Sequence, residues 1–130
     1  MKALVFEEPR RAVVSDYEIP AIAADEVLVR SRNVGIWHSD FELYEGRYII
    51  PVSYPIIPGH EWAGEVAEVG GAVTTLQPGD RVVGECVVNN GDDHFGFSIS
   101  GANAEYFVAK ASWLHRIPDE LTYQQGAFVE

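Results

Sequence analysis

The 130-residue sequence has a single cysteine, Cys86. No intrachain disulfide can form, and a four-thiolate metal site is excluded. Positive charge is scarce, with 9 Lys and Arg against 20 Asp and Glu and a formal net charge of -11. So few scattered cations cannot neutralise a run of phosphates, which argues against nucleic acid as a partner. The same deficit disfavours an anionic membrane surface. No apolar run approaches the roughly 20 residues of a membrane span. The opening residues, Met-Lys-Ala-Leu-Val-Phe-Glu-Glu-Pro, reach acidic side chains and Pro9 before a signal-peptide core could form. Also missing are a Gly-x-Gly-x-x-Gly after a strand and a phosphate loop of the Gly-Lys-Ser/Thr kind, so nothing here cradles a dinucleotide unaided. Repeats and low-complexity tracts are lacking too. What remains is the expectation of a soluble, cytoplasmic single domain: 47% hydrophobic and 22% charged residues is ordinary globular composition. At this size a chain buries roughly two-thirds of its unfolded surface, enough for one core.

Periodicity favours strands over residues 2–7, 12–19, 26–32, 61–69, 80–88 and 104–109, each bounded by Gly, Asn or Pro. Six short strands with such punctuation predict an antiparallel barrel or sandwich rather than a βαβ array. Pro78-Gly79-Asp80 carries the residues a type II turn prefers. A short helix is predicted over 39–46, with Ser39 as its cap, Glu42 as capping-box partner and Gly46 as its stop. The stretch 122–130 opens in helical style, and 89–94 reads as a polar loop.

Three groups carry residue types suited to chemistry: Gly35-Ile-Trp-His-Ser-Asp40, Pro58-Gly-His-Glu-Trp-Ala-Gly-Glu65, and Glu130. His60 and Glu61 offer an imidazole nitrogen and a carboxylate oxygen, donors that zinc accepts. Neighbours on a regular strand point to opposite faces, so both reach one ion only at a bend, which Gly59 permits. The plain alternatives are a solvated strand end at His60-Glu61 and a capped helix start at His38-Ser39-Asp40.

Taken in order, the motifs resemble those of a known family. They are Val34-Gly-Ile-x-His-Ser-Asp40, Pro58-Gly-His-Glu-x-x-Gly-Glu-Val66, Val69-Gly70, Val73-Thr74, Pro78-Gly-Asp-Arg-Val82, Ala104-Glu-Tyr106, Ile117-Pro-Asp-Glu-Leu121 and Gly126-Ala-x-x-Glu130. Over nearly its whole length the chain resembles the N-terminal catalytic domain of the zinc-type medium-chain dehydrogenase/reductase superfamily. Within it the chain looks most like the sorbitol and threonine dehydrogenase branch, which places a glutamate where Glu130 stands. The resemblance implies a mainly β fold, a GroES-like, partly open antiparallel β-barrel with short helices over residues 1–130. It also implies a Rossmann NAD(P)-binding domain after residue 130. The matching positions imply roles. His60, Glu61 and Glu130 match the catalytic-zinc ligands, and Ser39 the hydroxyl that passes the substrate proton outward. His38 matches the position that contacts the cofactor or extends that relay, and Asp40 a carboxylate that orients the zinc histidine.

Two departures stand out against that family. Trp37 occupies the position of a zinc-binding cysteine, and an indole nitrogen is a donor only, so it cannot replace a thiolate. Trp37 is then a packing aromatic or a wall of the substrate pocket. The segment 85–100 holds one thiol where family members commonly carry four cysteines, so no structural zinc is expected, and Cys86 reads as a buried small hydrophobe. The activity implied is NAD(P)-dependent oxidation of a secondary alcohol to a ketone by an alcohol or polyol dehydrogenase with zinc at the catalytic site. The parent is expected to be a homo-oligomer acting on a small alcohol or carbonyl compound. Two readings stand beside it: a zinc-free reductase of a carbonyl or activated alkene, and a catalytically dead barrel kept for binding. Tyr44, Tyr48 and Trp62 are either pocket lining or plain core.

Overall fold

The computed structural model describes residues 1–50 and 52–129. In chain order the strands are β1 (Lys2–Glu8), β2 (Arg11–Asp16), β3 (Glu26–Val34), β4 (Trp62–Val69), β5 (Arg81–Gly84), β6 (Val87–Val88), β7 (Asp93–His94), β8 (Tyr106–Lys110) and β9 (Leu114–Arg116). The α-helices are α1 (His38–Glu45), between β3 and β4, and α2 (Tyr123–Gly126), after β9. The strands form three sheets: the hairpin β1–β2, a five-stranded sheet in the order β8-β3-β4-β5-β9, and the ribbon β6–β7. All their pairings are antiparallel. The result is the mainly β, partly open architecture expected from the sequence.

The centre of the large sheet follows from β-branched residues, which pack well on a pleated surface. Val27 pairs with Val69 and Val29 with Val66, with a register shift between Leu28 and Val29. Together with Trp62, Val82, Phe95, Phe107 and Leu114 these valines form the main apolar cluster. The Pro78-Gly79-Asp80 turn forms as expected: Gly79 has φ 92°, the left-handed value the third position of a type II turn needs. The Asp80 amide donates across it to the Gln77 carbonyl at 3.1 Å.

The chain departs from the sequence expectation where it changes sheets. The strand predicted over 80–88 breaks at Glu85 and Cys86. Gly84 still pairs with Leu114, but the Glu85 amide then donates to Trp113 O (3.2 Å) and Cys86 O accepts from Phe95 N (2.8 Å). Segment 89–94 is more than a loop. Asn89, Asn90 and Gly91 all take left-handed φ values, and the turn they make returns Asp93–His94 to pair with Val87–Val88. β9 has three residues, too few for an alternation to show.

Near the C-terminus, Thr122 and Gln125 form a reciprocal capping box at the start of α2. The Tyr123 hydroxyl donates to Glu65 Oε2 at 3.2 Å, and the Arg81 guanidinium lies 4.6 Å from the centre of its ring. This clamp fixes α2 against β4 and β5.

Candidate active site

Two backbone segments build the site. The first is residues 57–59, held against residues 101–103 by three backbone hydrogen bonds: Gly101 N to Ile57 O (2.7 Å), Ala102 N to Gly59 O (2.9 Å) and Asn103 N to Pro58 O (3.0 Å). Gly59 sits at φ 98°, and a side chain there would stand 3.0 Å from the Asn103 backbone and amide group. Only glycine takes that turn without strain. The turn delivers His60 and Glu61 just before β4 begins, so the bend required of this pair is present.

The second segment is the junction of β3 and α1. The helix begins earlier than predicted: its N-cap is Trp37, two residues before Ser39, and His38 is its first residue. Ser39 does not cap it, and the Glu42 capping box does not form. Asp40 holds the helix start instead, its Oδ2 accepting from the Trp37 amide at 2.9 Å. A carboxylate in the first turn also favours the helix dipole. Freed from capping, the Ser39 hydroxyl lies 3.3 Å from His60 Nε2. At the other end Gly46, with φ 72°, closes the helix as expected.

Asp40 and His60 are 5% and 7% exposed and are the buried polar or charged side chains among the described residues. Asp40 Oδ1 faces His60 Nδ1 at 3.6 Å, just beyond hydrogen-bond reach, and neither atom has another partner. Two complementary orphans this close favour an Nδ1–H directed at the carboxylate, because an unpaired buried polar group costs about 1–3 kcal/mol. Nε2 then keeps its lone pair towards Ser39. The His60 ring also lies 4.8 Å from Phe97, whose ring stacks on Tyr48 at 4.5 Å. Burial pushes the Tyr48 phenol above its ordinary pKa, with Cys86 and Asp40 adding to the rise.

The structure therefore brings Ser39, Asp40 and His60 together. Glu61 flanks the same junction: its carbonyl accepts from Gly35 N at 2.7 Å, and its Oε2 would stand 3.0 Å from a side chain at Gly35. His38 faces elsewhere, 77% exposed, with Nε2 3.7 Å from Glu42 Oε1. Trp37 is 61% exposed, so it is not a buried packing aromatic. Trp62 is core, 3% exposed and edge-on to Phe107. The Tyr44 hydroxyl donates to Arg10 O at 2.8 Å and ties down the β1–β2 turn. Glu130 lies outside the described residues. Phe97, the wall against His60, carries no signal in the sequence, because it sits in an irregular segment with no periodicity to mark it.

Among the described residues no three His, Cys, Asp or Glu side chains gather closely enough to hold a metal ion. The chemistry of the donors nevertheless fits a divalent cation. His60 is a buried imidazole backed by a carboxylate, the arrangement that fixes a ligating histidine's tautomer. A nitrogen and carboxylate oxygens are ligands zinc takes.

The fold thus brings a buried imidazole and a buried carboxylate together with a half-buried hydroxyl at a helix start. Residues 23–119 match the alcohol dehydrogenase GroES-like domain family. The chain belongs to that family and, through it, to the zinc-type medium-chain dehydrogenase/reductase superfamily. It is 35% identical to an alcohol dehydrogenase of Geobacillus stearothermophilus, over 98% of this chain and 43% of the relative. It is 34% identical to a sorbitol dehydrogenase of Bacillus subtilis, over 100% of this chain and 42% of the relative. A Sinorhizobium meliloti structure assigned as a zinc-binding dehydrogenase and solved with NADP superimposes with a TM-score of 0.88 at 28% identity, over 98% of this chain and 41% of that one. The chain thus spans about two-fifths of the length of the relatives it matches.

Proposed function

We propose that this chain is the catalytic part of an NAD(P)-dependent alcohol or polyol dehydrogenase that oxidises a secondary alcohol to a ketone, with zinc at the catalytic site. The observation that carries the reading is the Ser39–His60–Asp40 array, a half-buried hydroxyl beside a buried imidazole that faces a buried carboxylate. The alcohol and sorbitol dehydrogenase relatives and the NADP-bound neighbour support it. In this reading His60, Glu61 and Glu130 would hold the metal, His60 through the Nε2 lone pair that otherwise faces Ser39, and a Rossmann domain of the parent would hold the dinucleotide. When bound, metal and nicotinamide supply Lewis acidity and a hydride acceptor.

The chain's own residues orient the substrate and manage the proton. Ser39 Oγ accepts the hydroxyl proton of the substrate and releases its own outward, a step that needs groups within hydrogen-bond reach. His38, at the exposed helix start, continues that path towards solvent or meets the cofactor. Asp40 faces His60 Nδ1 and biases its tautomer and, through the Trp37 amide, holds the helix start in the same frame. Phe97 and Tyr48 close one side of the imidazole and keep water from it. A homo-oligomeric, cytoplasmic enzyme is the setting this reading expects.

The test is reduction of NAD and of NADP by the protein carrying this chain, offered linear polyols and simple secondary alcohols. Alcohol-dependent reduction with at least one cofactor supports the reading. No alcohol-dependent reduction with either cofactor overturns it. Undiminished reduction of carbonyls or activated alkenes after exhaustive chelation assigns the chain instead to the zinc-free reductases, in which Trp37 fills the metal space.

A further inference from the structure

A cleft of about 540 Å³ opens at the edge of the large sheet, within the roughly 300–1,000 Å³ of small-molecule sites. Ser39, Asp40 and His60 do not line it. Ile57 and Gly101 do, and the 2.7 Å backbone bond between them belongs to the frame that carries His60. Part of the lining is β8, an outermost strand of the sheet. At the two ends of the β3–β8 ladder, Ser31 N donates to Glu105 O (3.0 Å) and Ala111 N to Asp25 O (3.1 Å). Backbone direction alternates along an antiparallel pair, so Phe107 and Ala109 turn their N–H and C=O to β3, and Val108 turns its own to the open edge. Neither outward group of Val108 has a backbone partner among the described residues. Tyr17, Tyr106 and Trp113 bring rings to the cleft, and Glu18 and Glu26 bring carboxylates. The ammonium of the lining is that of Met1, turned to Tyr17 O at 2.7 Å. Two carboxylates therefore stand against one ammonium there, in a chain of net charge -11.

We propose that this cleft is a binding site for a small hydrophobic ammonium ion, an aryl- or alkylammonium with one positive charge. An ammonium only donates hydrogen bonds, which suits the outward Val108 carbonyl and the Glu18 carboxylate. Glu26 is partly engaged already, its Oε2 accepting from the Ala23 amide at 2.7 Å. Ring faces attract such a cation. Trp113 already holds one, the Lys110 ammonium 5.9 Å from its ring centre, which also pairs with Asp25 at 3.8 Å. The apolar body of the ligand leaves water against Ile57, Ile99 and the rings. An anion of the same shape meets two carboxylates and is repelled. The inference goes beyond the function proposed above and does not rest on it, because the Ser39–His60–Asp40 array takes no part in the cleft.

The experiment is calorimetric titration of the protein carrying this chain with 3-phenylpropylammonium, 3-phenylpropanamide and 3-phenylpropanoate, which share a phenyl group on a short chain and differ in charge. Circular dichroism confirms that each variant is folded. The ammonium should bind about tenfold or more tighter than the propanoate, with the amide between them. Glu18→Gln should weaken the ammonium about two- to fivefold, the worth of a partly exposed ion pair, and leave the amide unchanged. Val108→Trp, which fills the cleft without changing charge, should abolish binding of both. Glu120→Gln, which removes an exposed carboxylate outside the cleft, should change neither. Equal affinity for ammonium and propanoate, no ammonium binding at millimolar concentration, or binding untouched by Val108→Trp overturns the proposal. Equal weakening by Glu120→Gln and Glu18→Gln overturns it too, since it reveals only a diffuse attraction of cations to an acidic surface. Each of these results leaves alcohol-dependent reduction of NAD or NADP as it was, so the dehydrogenase reading fails only by its own test.

Discussion

The two faces of the molecule are built from different materials. Around β3, β4 and β8 the interior is hydrocarbon: Val27, Val29, Val66, Val82, Phe95 and Phe107 interlock on paired strands. Around α1 the interior is aromatic and mixed: Phe6, Leu43, Ile56, Cys86 and Phe97 pack with Tyr44, Tyr48 and Tyr54. The buried Asp40 and His60 adjoin this second cluster. The first region is held by continuous ladders, and its side chains have one role. The second is held by a helix cap, a left-handed glycine and a few loop hydrogen bonds, and two of its buried polar atoms, Asp40 Oδ1 and His60 Nδ1, lack a hydrogen-bond partner, as Trp62 Nε1 does in the first. Unsatisfied buried polar groups cost stability, so a fold keeps them where something else requires them. The strong scaffold is what allows the weaker face to carry the chemistry proposed for it.

Substitutions separate the two regions, and the largest effect belongs to the scaffold. Phe107→Ala removes a ring that is 5% exposed and packed on Trp62 and Phe95. It should cost about 3–5 kcal/mol in urea unfolding, while activity per folded molecule stays unchanged; a loss below about 1 kcal/mol would break the comparison. Gly59→Ala forces a side chain into φ 98° against Asn103. It should cost about 1–2 kcal/mol and, unlike Phe107→Ala, should lower turnover in the folded protein by misplacing His60. Asp40→Ala removes the acceptor for the Trp37 amide and should cost about 0.5–2 kcal/mol. Asp40→Asn, which keeps an acceptor, should recover most of that stability but not the activity. Stability recovered together with activity would show that Asp40 serves the helix alone.

The smallest effect is electrostatic. Hydrogen bonding to Arg32 holds the Glu65 carboxyl below its ordinary pKa, and Arg116 does the same for Asp80. Because these pKa values are lower in the folded state, the stability they contribute is present above the ordinary carboxylate range. It is lost as pH falls through the lowered folded values. Asp80→Asn should flatten that acid limb in pH-dependent thermal unfolding and leave the melting temperature at neutral pH within a few degrees. The pairs are partly exposed, so raised salt should also weaken them.

The sheet was legible in the sequence because it is regular. β-branched runs bounded by Gly and Pro marked β1 to β5 and β8, and Pro78-Gly79 marked its turn. What was not legible was set by partners distant in the chain. Ser39 looks like a helix cap because a hydroxyl precedes an amphipathic stretch, yet Asp40 takes the Trp37 amide and leaves the hydroxyl to His60. β9 and the break at Glu85 and Cys86 depend on which strand each residue meets. The site residues 38–40 and 60–61 were named from motifs, but the motifs do not distinguish His38, which faces Glu42, from Ser39, which faces the imidazole. Phe97 touches His60 from a segment that shares no motif with it.

The central claim is that Ser39 and His60 act as one unit, and steady-state kinetics of alcohol oxidation by Ser39→Ala, His60→Ala and the double variant test it most directly. Each single change should lower kcat by about a hundredfold or more, and the double change should lower it little further, since residues acting together are not additive. A fully active His60→Ala enzyme, or two losses that multiply, would contradict the claim.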